Sequence, residues 1–157
     1  MLPERMVVPR IGERYRGVDG HSGFLLHQAW QAFRNAMDTA LREHGMNGPQ
    51  YGVLSVLARD PGMSGADLAR ATNITPQAMN GVLVTLEREG LVERRPHATH
   101  GRILQTSLTP EGRSRLDAAT PAVRAVERSI ERDLSAEQVG ALKGWLVATA
   151  ERLRREA

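Results

Sequence analysis

Residues Ser64 to Gly112 read SGADLARATNITPQAMNGVLVTLEREGLVERRPHATHGRILQTSLTPEG. Two helix starts lie close together in this stretch. Ser64 with Asp67 forms a relaxed capping box ahead of a short helix, and Thr75 with Pro76 supplies the cap and N1 proline of a second helix that ends at Gly90. Two short helices joined by a turn of about 3–4 residues are typical of the helix-turn-helix, whose second helix enters the major groove of DNA.

A predicted β-hairpin follows the second helix. Two strand-like runs, Leu91–Arg95 and Arg102–Leu108, flank a segment rich in turn-forming residues. Thr109-Pro110 then repeats the cap-plus-proline signal and opens a long helix, which Pro121 either kinks or interrupts. We therefore predict a mainly α fold class with a small β-hairpin wing, that is, a winged helix-turn-helix.

Amphipathic helices are predicted on both sides of this module. The N-terminal helix has an apolar stripe that begins at Phe24, and it ends at Gly45, after which Asn47 opens the next helix. The C-terminal helix begins with a capping box at Ser135, and its apolar stripe extends to Leu153. The terminal stripes need a partner surface, because burying each side chain is worth about 1.5–3 kcal/mol. We therefore predict a homodimer formed by the terminal helices. The predicted boundaries are an N-terminal extension (1–23), an N-terminal dimerisation helix (24–45), the winged helix-turn-helix DNA-binding domain (46–112) and C-terminal dimerisation helices (113–157).

The composition indicates a soluble, cytoplasmic protein. Of 157 residues, 41% are hydrophobic and 25% charged. The chain has neither an apolar run of about 18 residues nor the apolar centre of a secretory signal, so no membrane contact is expected. It has no cysteine, which excludes disulfides, thiolate metal sites and cysteine nucleophiles. Lys143 is the sole lysine, so arginine supplies nearly all of the positive charge. Arginine suits contacts to phosphate and guanine better than lysine does, although the codon composition of the source is the simpler explanation for the bias.

The second helix of the module carries the candidate base-reading face. Its apolar side, which includes Met79, Leu83 and Leu86, is expected to pack inward, so the opposite side faces out. Glutamine and asparagine can pair bidentately with adenine, and alanine can contact a thymine methyl. The candidate DNA-binding residues on this helix are Gln77, Ala78, Asn80, Gly81, Thr85 and Arg88. An ordinary solvated face is the alternative explanation for any one of them.

Gly81 stands in the middle of this helix, where glycine costs about 0.5–1 kcal/mol relative to alanine. Close approach of DNA would explain the glycine. Crowding against another helix would explain it equally well.

The wing supplies candidate cations. Arg94 and Arg95 lie on its first strand and Arg102 on the return strand, where an arginine gains from the negative potential of a narrow minor groove. Arg102 is the strongest single candidate, with pairing to Glu93 as the alternative.

The last two candidates in the predicted interface are the hydroxyls of Ser64 and Thr75, which could reach phosphates, although helix capping already explains both. Residues 46–112 contain six arginines and six acidic residues, so bulk charge does not supply DNA affinity.

Taken in their order along the chain, several of these motifs resemble those of the MarR family. The resemblance rests on Leu68-Ala69, Thr75, the run Leu86–Arg94 and the ending Leu108–Gly112, within a match from about Phe24 to Leu153. It implies an obligate homodimer that binds double-stranded DNA at a pseudo-palindromic operator and is usually released by a small ligand.

Two positions depart from the family pattern. Arg102 matches the wing-tip arginine of the family's Asp-x-Arg motif, but His100 stands where that motif has aspartate. Gly81 stands where many members carry arginine. The first departure removes or replaces the usual partner of the wing arginine, and the second weakens base reading at that position.

Other functions are less well supported by the sequence. No nucleophile elbow, phosphate loop or paired carboxylates indicate an enzyme, and isolated or loop histidines are usually not metal ligands, so neither catalysis nor a cofactor or metal is expected. A winged-helix module used for protein interaction without base-specific readout is the alternative function. The resemblance implies a small-molecule effector site, which we assign to His27, Trp30 and Phe33, although core packing would also explain the two aromatic residues.

Overall fold

A computed structural model describes residues 8–98, 101 and 103–156 of the chain. The helices are α1 (Ser22–Arg42), α2 (Gly48–Arg59), α3 (Gly65–Thr72), α4 (Pro76–Arg88), α5 (Pro110–Glu131) and α6 (Ala136–Glu156). The strands are β1 (Met63–Ser64), β2 (Val92–Pro96) and β3 (Leu104–Leu108). This mainly helical architecture with a small sheet confirms the predicted fold class. No helix in the described ranges has both the length and the apolar character needed to cross a membrane.

Side-chain caps fix where the helices begin. The Asn47 side chain accepts the backbone N–H of Gln50 at 3.0 Å, and the Gln50 side chain accepts the N–H of Asn47 in return. The Thr75 and Thr109 hydroxyls accept the N–H groups three residues ahead of them, at 3.2 and 3.0 Å. Each of these bonds satisfies a helix N–H that has no partner inside its own helix, so these three predicted helix starts are confirmed.

The wing is a three-stranded antiparallel sheet in the order β1-β3-β2, in place of the predicted two-stranded hairpin. Met63 of β1 pairs with Thr106, and the Gly62 N–H donates to the Thr106 carbonyl at 2.9 Å. A two-residue strand is too short to show a sequence period, so β1 could not be predicted. β2 runs one residue further than predicted, to Pro96, because an edge strand tolerates a residue without an amide hydrogen.

Most of the core lies inside the winged module, and buried residues of α1 and α5 complete it. Met79, Leu83 and Leu86 of α4 are nearly inaccessible, which confirms the predicted inward face of that helix. They belong to one cluster with buried residues of α2, α3 and α5, whose other members include Val53, Leu54, Leu57, Leu68, Leu91 and Leu116. The outward face of α4 is therefore fixed by the burial of the opposite one.

The terminal helices leave much of their apolar surface uncovered in the single chain. α6 has no buried residue among its described positions, and Trp145 is 49% exposed. On α1, only Leu41 is buried, and Trp30 is 54% exposed. α5 continues through Pro121 to Glu131, so this proline does not end the helix.

The N-terminal arm folds back on α1. The Arg16 Nε donates to Gln28 Oε1 at 2.9 Å, and Arg16 Nη1 donates to the Pro9 carbonyl at 3.0 Å. The rings of Tyr15 and Phe24 meet edge to face with centroids 5.8 Å apart. α1 accordingly begins at Ser22, two residues before the predicted start.

Candidate nucleic-acid interface

The outward face of α4 presents short and amide side chains to solvent. Because Met79, Leu83 and Leu86 are buried, the residues half a helical turn away from them face out. The exposed predicted positions are Gln77, Ala78, Asn80, Gly81 and Arg88. The structure thus brings the proposed base-reading residues onto one surface, with no covering element among the described residues.

Gly81 lies open on this surface. A Cβ built on Gly81 meets no heavy atom within 4 Å outside its immediate neighbours and its own helix backbone, so crowding against another helix does not account for the glycine in this chain. The neighbouring Thr85 is half-buried, and its hydroxyl donates to the Gly81 carbonyl at 3.0 Å. That hydroxyl therefore already has an acceptor within the protein.

The two described wing arginines are each paired with a glutamate. Arg94 Nε donates to Glu87 Oε2 of α4 at 2.9 Å, and the Arg94 side chain is only 18% exposed. Arg95 Nη2 lies 2.9 Å from Glu93 Oε2, and its side chain is 76% exposed. Arg94 therefore connects the wing to α4, whereas Arg95 remains accessible. The predicted contacts of Arg102 and the substitution at His100 lie outside the described residues.

The Ser64 and Thr75 hydroxyls act as helix caps. The Ser64 hydroxyl donates to Asp67 Oδ2 at 2.6 Å and accepts the Asp67 N–H at 3.2 Å. The hydrogen bond from Ser64 and the nearby Arg70 guanidinium hold the pKa of the Asp67 carboxyl below its usual value. Thr75 accepts the N–H of Ala78, as described above. Both hydroxyls lie at helix N-termini, where backbone N–H groups favour anions.

A cavity of about 490 Å³ lies between α1, the start of α2 and the α3–α4 turn. Trp30 and Phe33 line it with ring centroids 5.8 Å apart, as an effector site at these residues requires. Arg34 and Asp38 add one charge of each sign to its wall. Most of the exposed lining is apolar, which suits a small ligand with an aromatic body and a polar group.

The structure places His27 apart from this cavity. His27 lines a second cavity of about 460 Å³ between the N-terminal arm and α1, and its Nε2 lies 3.5 Å from Gln31 Nε2. Among the described residues, no group of three or more histidine, aspartate or glutamate side chains is arranged to hold a metal ion.

Two residues of this candidate interface are absent from the residues named on the sequence alone. Val84 is 47% exposed on the face of Asn80 and Gly81, where its methyl groups add an apolar contact surface. Helical spacing predicts this placement, because Val84 follows Asn80 by four residues. Glu87 orients Arg94, and only the packing of the wing on α4 reveals that pair.

The comparisons with known proteins agree with this geometry. A family model described as the MarR family matches residues 44–103. An HTH-type transcriptional repressor from Mycobacterium tuberculosis is 37% identical over 128 residues, which are 82% of this chain and 92% of the relative.

Two solved structures of a Mycobacterium tuberculosis MarR family protein superpose on the chain. The complex with DNA has a TM-score of 0.67 at 35% identity and covers 83% of this chain and 98% of that one. The complex with salicylic acid has a TM-score of 0.65 at 36% identity and covers 84% and 98%. On the sequence identity, the coverage and the shared fold, this chain belongs to the MarR family of transcriptional regulators.

Proposed function

We propose that this protein is a ligand-responsive repressor that binds a pseudo-palindromic DNA operator as a homodimer. The observation that carries the proposal is the open face of α4, where Gln77, Asn80 and Gly81 are exposed beside the wing. Amide side chains on a recognition helix can read adenine in the major groove. The protein acts in the cytoplasm through binding rather than catalysis.

Dimerisation follows from the uncovered terminal helices. Trp145 and Leu153 of α6 are 49% and 56% exposed, and Trp30 of α1 is 54% exposed. Association along these helices removes that apolar surface from water and presents two copies of α4 to one duplex. Two identical modules related by a two-fold axis require a binding site with inverted half-sites.

The effector is expected to be a small aromatic carboxylate. In the cavity beside α1, Trp30 and Phe33 offer aromatic faces and Arg34 offers a cation. The mycobacterial MarR family protein was solved in complex with salicylic acid. The cavity also reaches Thr72, Asn73 and Ile74 in the α3–α4 turn, so an occupant would contact the segment that leads into the recognition helix.

Selection of DNA from a random library by the purified protein tests DNA recognition. The expected product is an inverted repeat whose half-sites lie about 10–10.5 base pairs apart, centre to centre, or a multiple of that distance. Recovery of unrelated sequences would contradict the proposal, and an asymmetric site would contradict its dimeric form.

The effector site is tested with salicylate and the W145F variant, in which Trp30 is the remaining tryptophan. Salicylate is expected to quench Trp30 fluorescence and to weaken operator binding. The R34Q variant should require a higher salicylate concentration, whereas R42Q, which changes an exposed arginine of α1 outside the cavity lining, should behave as the parent. Unchanged operator affinity at saturating salicylate would exclude this effector class.

A further inference from the structure

Two side chains of opposite charge line the cavity beside α1, one helical turn apart. Arg34 and Asp38 both belong to α1, and residues four apart on a helix are neighbours, with about 5–6 Å between their Cβ atoms. Side chains at this spacing commonly form an ion pair. Within the described ranges, neither Arg34 nor Asp38 forms an ion pair, with the other or with a third residue. Both charges are therefore available to an occupant of the cavity.

The start of α2 fixes the position of Asp38. Asp38 Oδ1 accepts the backbone N–H of Gly48, the first residue of α2, at 3.3 Å. The side chain is partly buried, and a carboxylate has about four lone-pair sites for hydrogen bonds. Among the described residues, no donor other than Gly48 reaches Asp38. Asp38 Oδ2 is thus an acceptor that only solvent or a ligand can satisfy.

The wall around Asp38 is poor in polar groups that could take this role. Most of the exposed lining is apolar, and the hydroxyl of Thr72 is already donated to the Leu68 carbonyl at 2.7 Å. A ligand that enters the cavity displaces water from Asp38. If that ligand brings no donor, the carboxylate loses hydration without replacement, which is costly. A ligand with a donor of its own replaces the lost hydrogen bond.

We propose that Asp38 determines the specificity of the cavity, selecting aromatic carboxylates that also carry a hydroxyl or amino group, while Arg34 binds the carboxylate. This inference rests on the effector site proposed above. An ortho hydroxyl is bonded to the ligand's own carboxylate, so the group that donates to Asp38 Oδ2 is in the meta or para position. This contact lies at the joint between α1 and α2, where Asp38 holds Gly48.

Matched ligands test this specificity on the full-length protein. Meta- and para-hydroxybenzoate can donate a hydrogen bond from the ring substituent, the corresponding methoxybenzoates can only accept one, and benzoate has no ring substituent. In isothermal titration calorimetry, at least one hydroxybenzoate should bind about tenfold or more tightly than both benzoate and its methoxy counterpart, as one hydrogen bond to a charged group predicts. Equal affinities for the hydroxy, methoxy and unsubstituted ligands would overturn the proposal without any variant.

The D38N variant exchanges one acceptor for a donor with little change of shape. Its amide oxygen can still accept the Gly48 N–H, so the amide NH₂ takes the place of Oδ2. The ratio of hydroxybenzoate to methoxybenzoate affinity should fall from about tenfold to within about twofold. A ratio is the useful measure, because removal of a negative charge near the site changes the affinity for all these anions. An unchanged ratio in D38N would show that Asp38 does not select the donor.

Two further variants serve as controls. D117N changes an exposed aspartate of α5 outside the cavity lining, and it should keep the parent ratio. R34Q should weaken the binding of all the carboxylates alike and should also keep the ratio, since Arg34 binds the group that they share. Loss of the ratio in D117N would overturn the assignment to Asp38.

Operator titrations with the same ligands separate this inference from the proposed function. If the carboxylates release the operator but bind without preference for a donor, the role of Asp38 is wrong and the proposed function stands. If D38N removes a clear preference but saturating ligand leaves operator affinity unchanged, the role of Asp38 stands and ligand-responsive repression fails. If none of these carboxylates binds, the role of Asp38 and the effector class fail together.

Discussion

Arg94 on the second wing strand donates to Glu87 on the recognition helix, with Nε 2.9 Å from Oε2 and the guanidinium mostly covered. The pair joins β2 to α4, so the wing and the proposed base-reading face are connected by a side-chain contact as well as by the chain. A cation predicted to bind DNA therefore has an intramolecular partner in the unbound protein.

Substitution of this pair measures its role. A double-mutant cycle of R94Q and E87Q should give a coupling free energy of about 0.5–1 kcal/mol in urea unfolding, since the pair is partly exposed. The R94Q variant should keep the parent's salt slope for operator binding. A slope shallower by about 1 per subunit would instead show that Arg94 leaves Glu87 and contacts a phosphate.

The open position of Gly81 leads to a prediction of opposite effects. The G81A variant should gain about 0.5–1 kcal/mol of unfolding free energy, because alanine favours the helix and no atom outside that helix obstructs its Cβ. Operator affinity should fall, since the added methyl group lies on the proposed base-reading face. Urea unfolding and operator titration of the same sample measure both effects. Parent-like binding would mean that DNA does not come close to this residue.

Gly112 lies in a crowded site, in contrast to the open position of Gly81. A Cβ at this position would lie 2.0 Å from the Leu91 carbonyl oxygen, a backbone atom that also accepts the Thr109 N–H at 3.1 Å. The G112A variant should lose about 1–3 kcal/mol of unfolding free energy, as overpacked sites do. G81A serves as the control for a helical Gly-to-Ala change in open space. Equal stability of the two variants would contradict the packing at the start of α5.

The Ser64 cap makes stability depend on pH. The pKa of Asp67 is lowered in the folded state by the Ser64 hydroxyl and by Arg70. Its ionised form therefore adds stability above the unfolded pKa, and this contribution is lost as the pH falls through the lower, folded pKa. The D67N variant should melt below the parent at pH 7, and the two melting temperatures should converge below about pH 3.8, the ordinary aspartate value. If the difference in melting temperature between the two proteins persisted in acid, ionised Asp67 would not be the source of the added stability.

Local signals predict most of the module. Asn47, Thr75 and Thr109 begin their helices as their cap chemistry predicts, and the apolar spacing of α4 gives the face that is buried. These features depend on residues three or four apart, so they are visible in the sequence.

Contacts between distant segments were not predictable in the same way. Strand β1 exists only because Met63 finds a partner in Thr106. The hydrogen bond from Arg154 Nη2 to Asn73 Oδ1 depends on where α5 and α6 carry the C-terminus. Of the three residues proposed for an effector site, Trp30 and Phe33 line the cavity beside α1, whereas His27 lies one turn earlier and faces the N-terminal arm.

The ratio of affinities for the selected operator and for random DNA of equal length, at physiological salt, tests base reading by α4 most directly. A sequence-specific regulator should give a ratio of about 10³ or more, and the N80A variant should lower it by removing an amide that pairs with a base. A ratio near one for the parent protein would contradict base reading and would favour a winged helix that binds proteins instead.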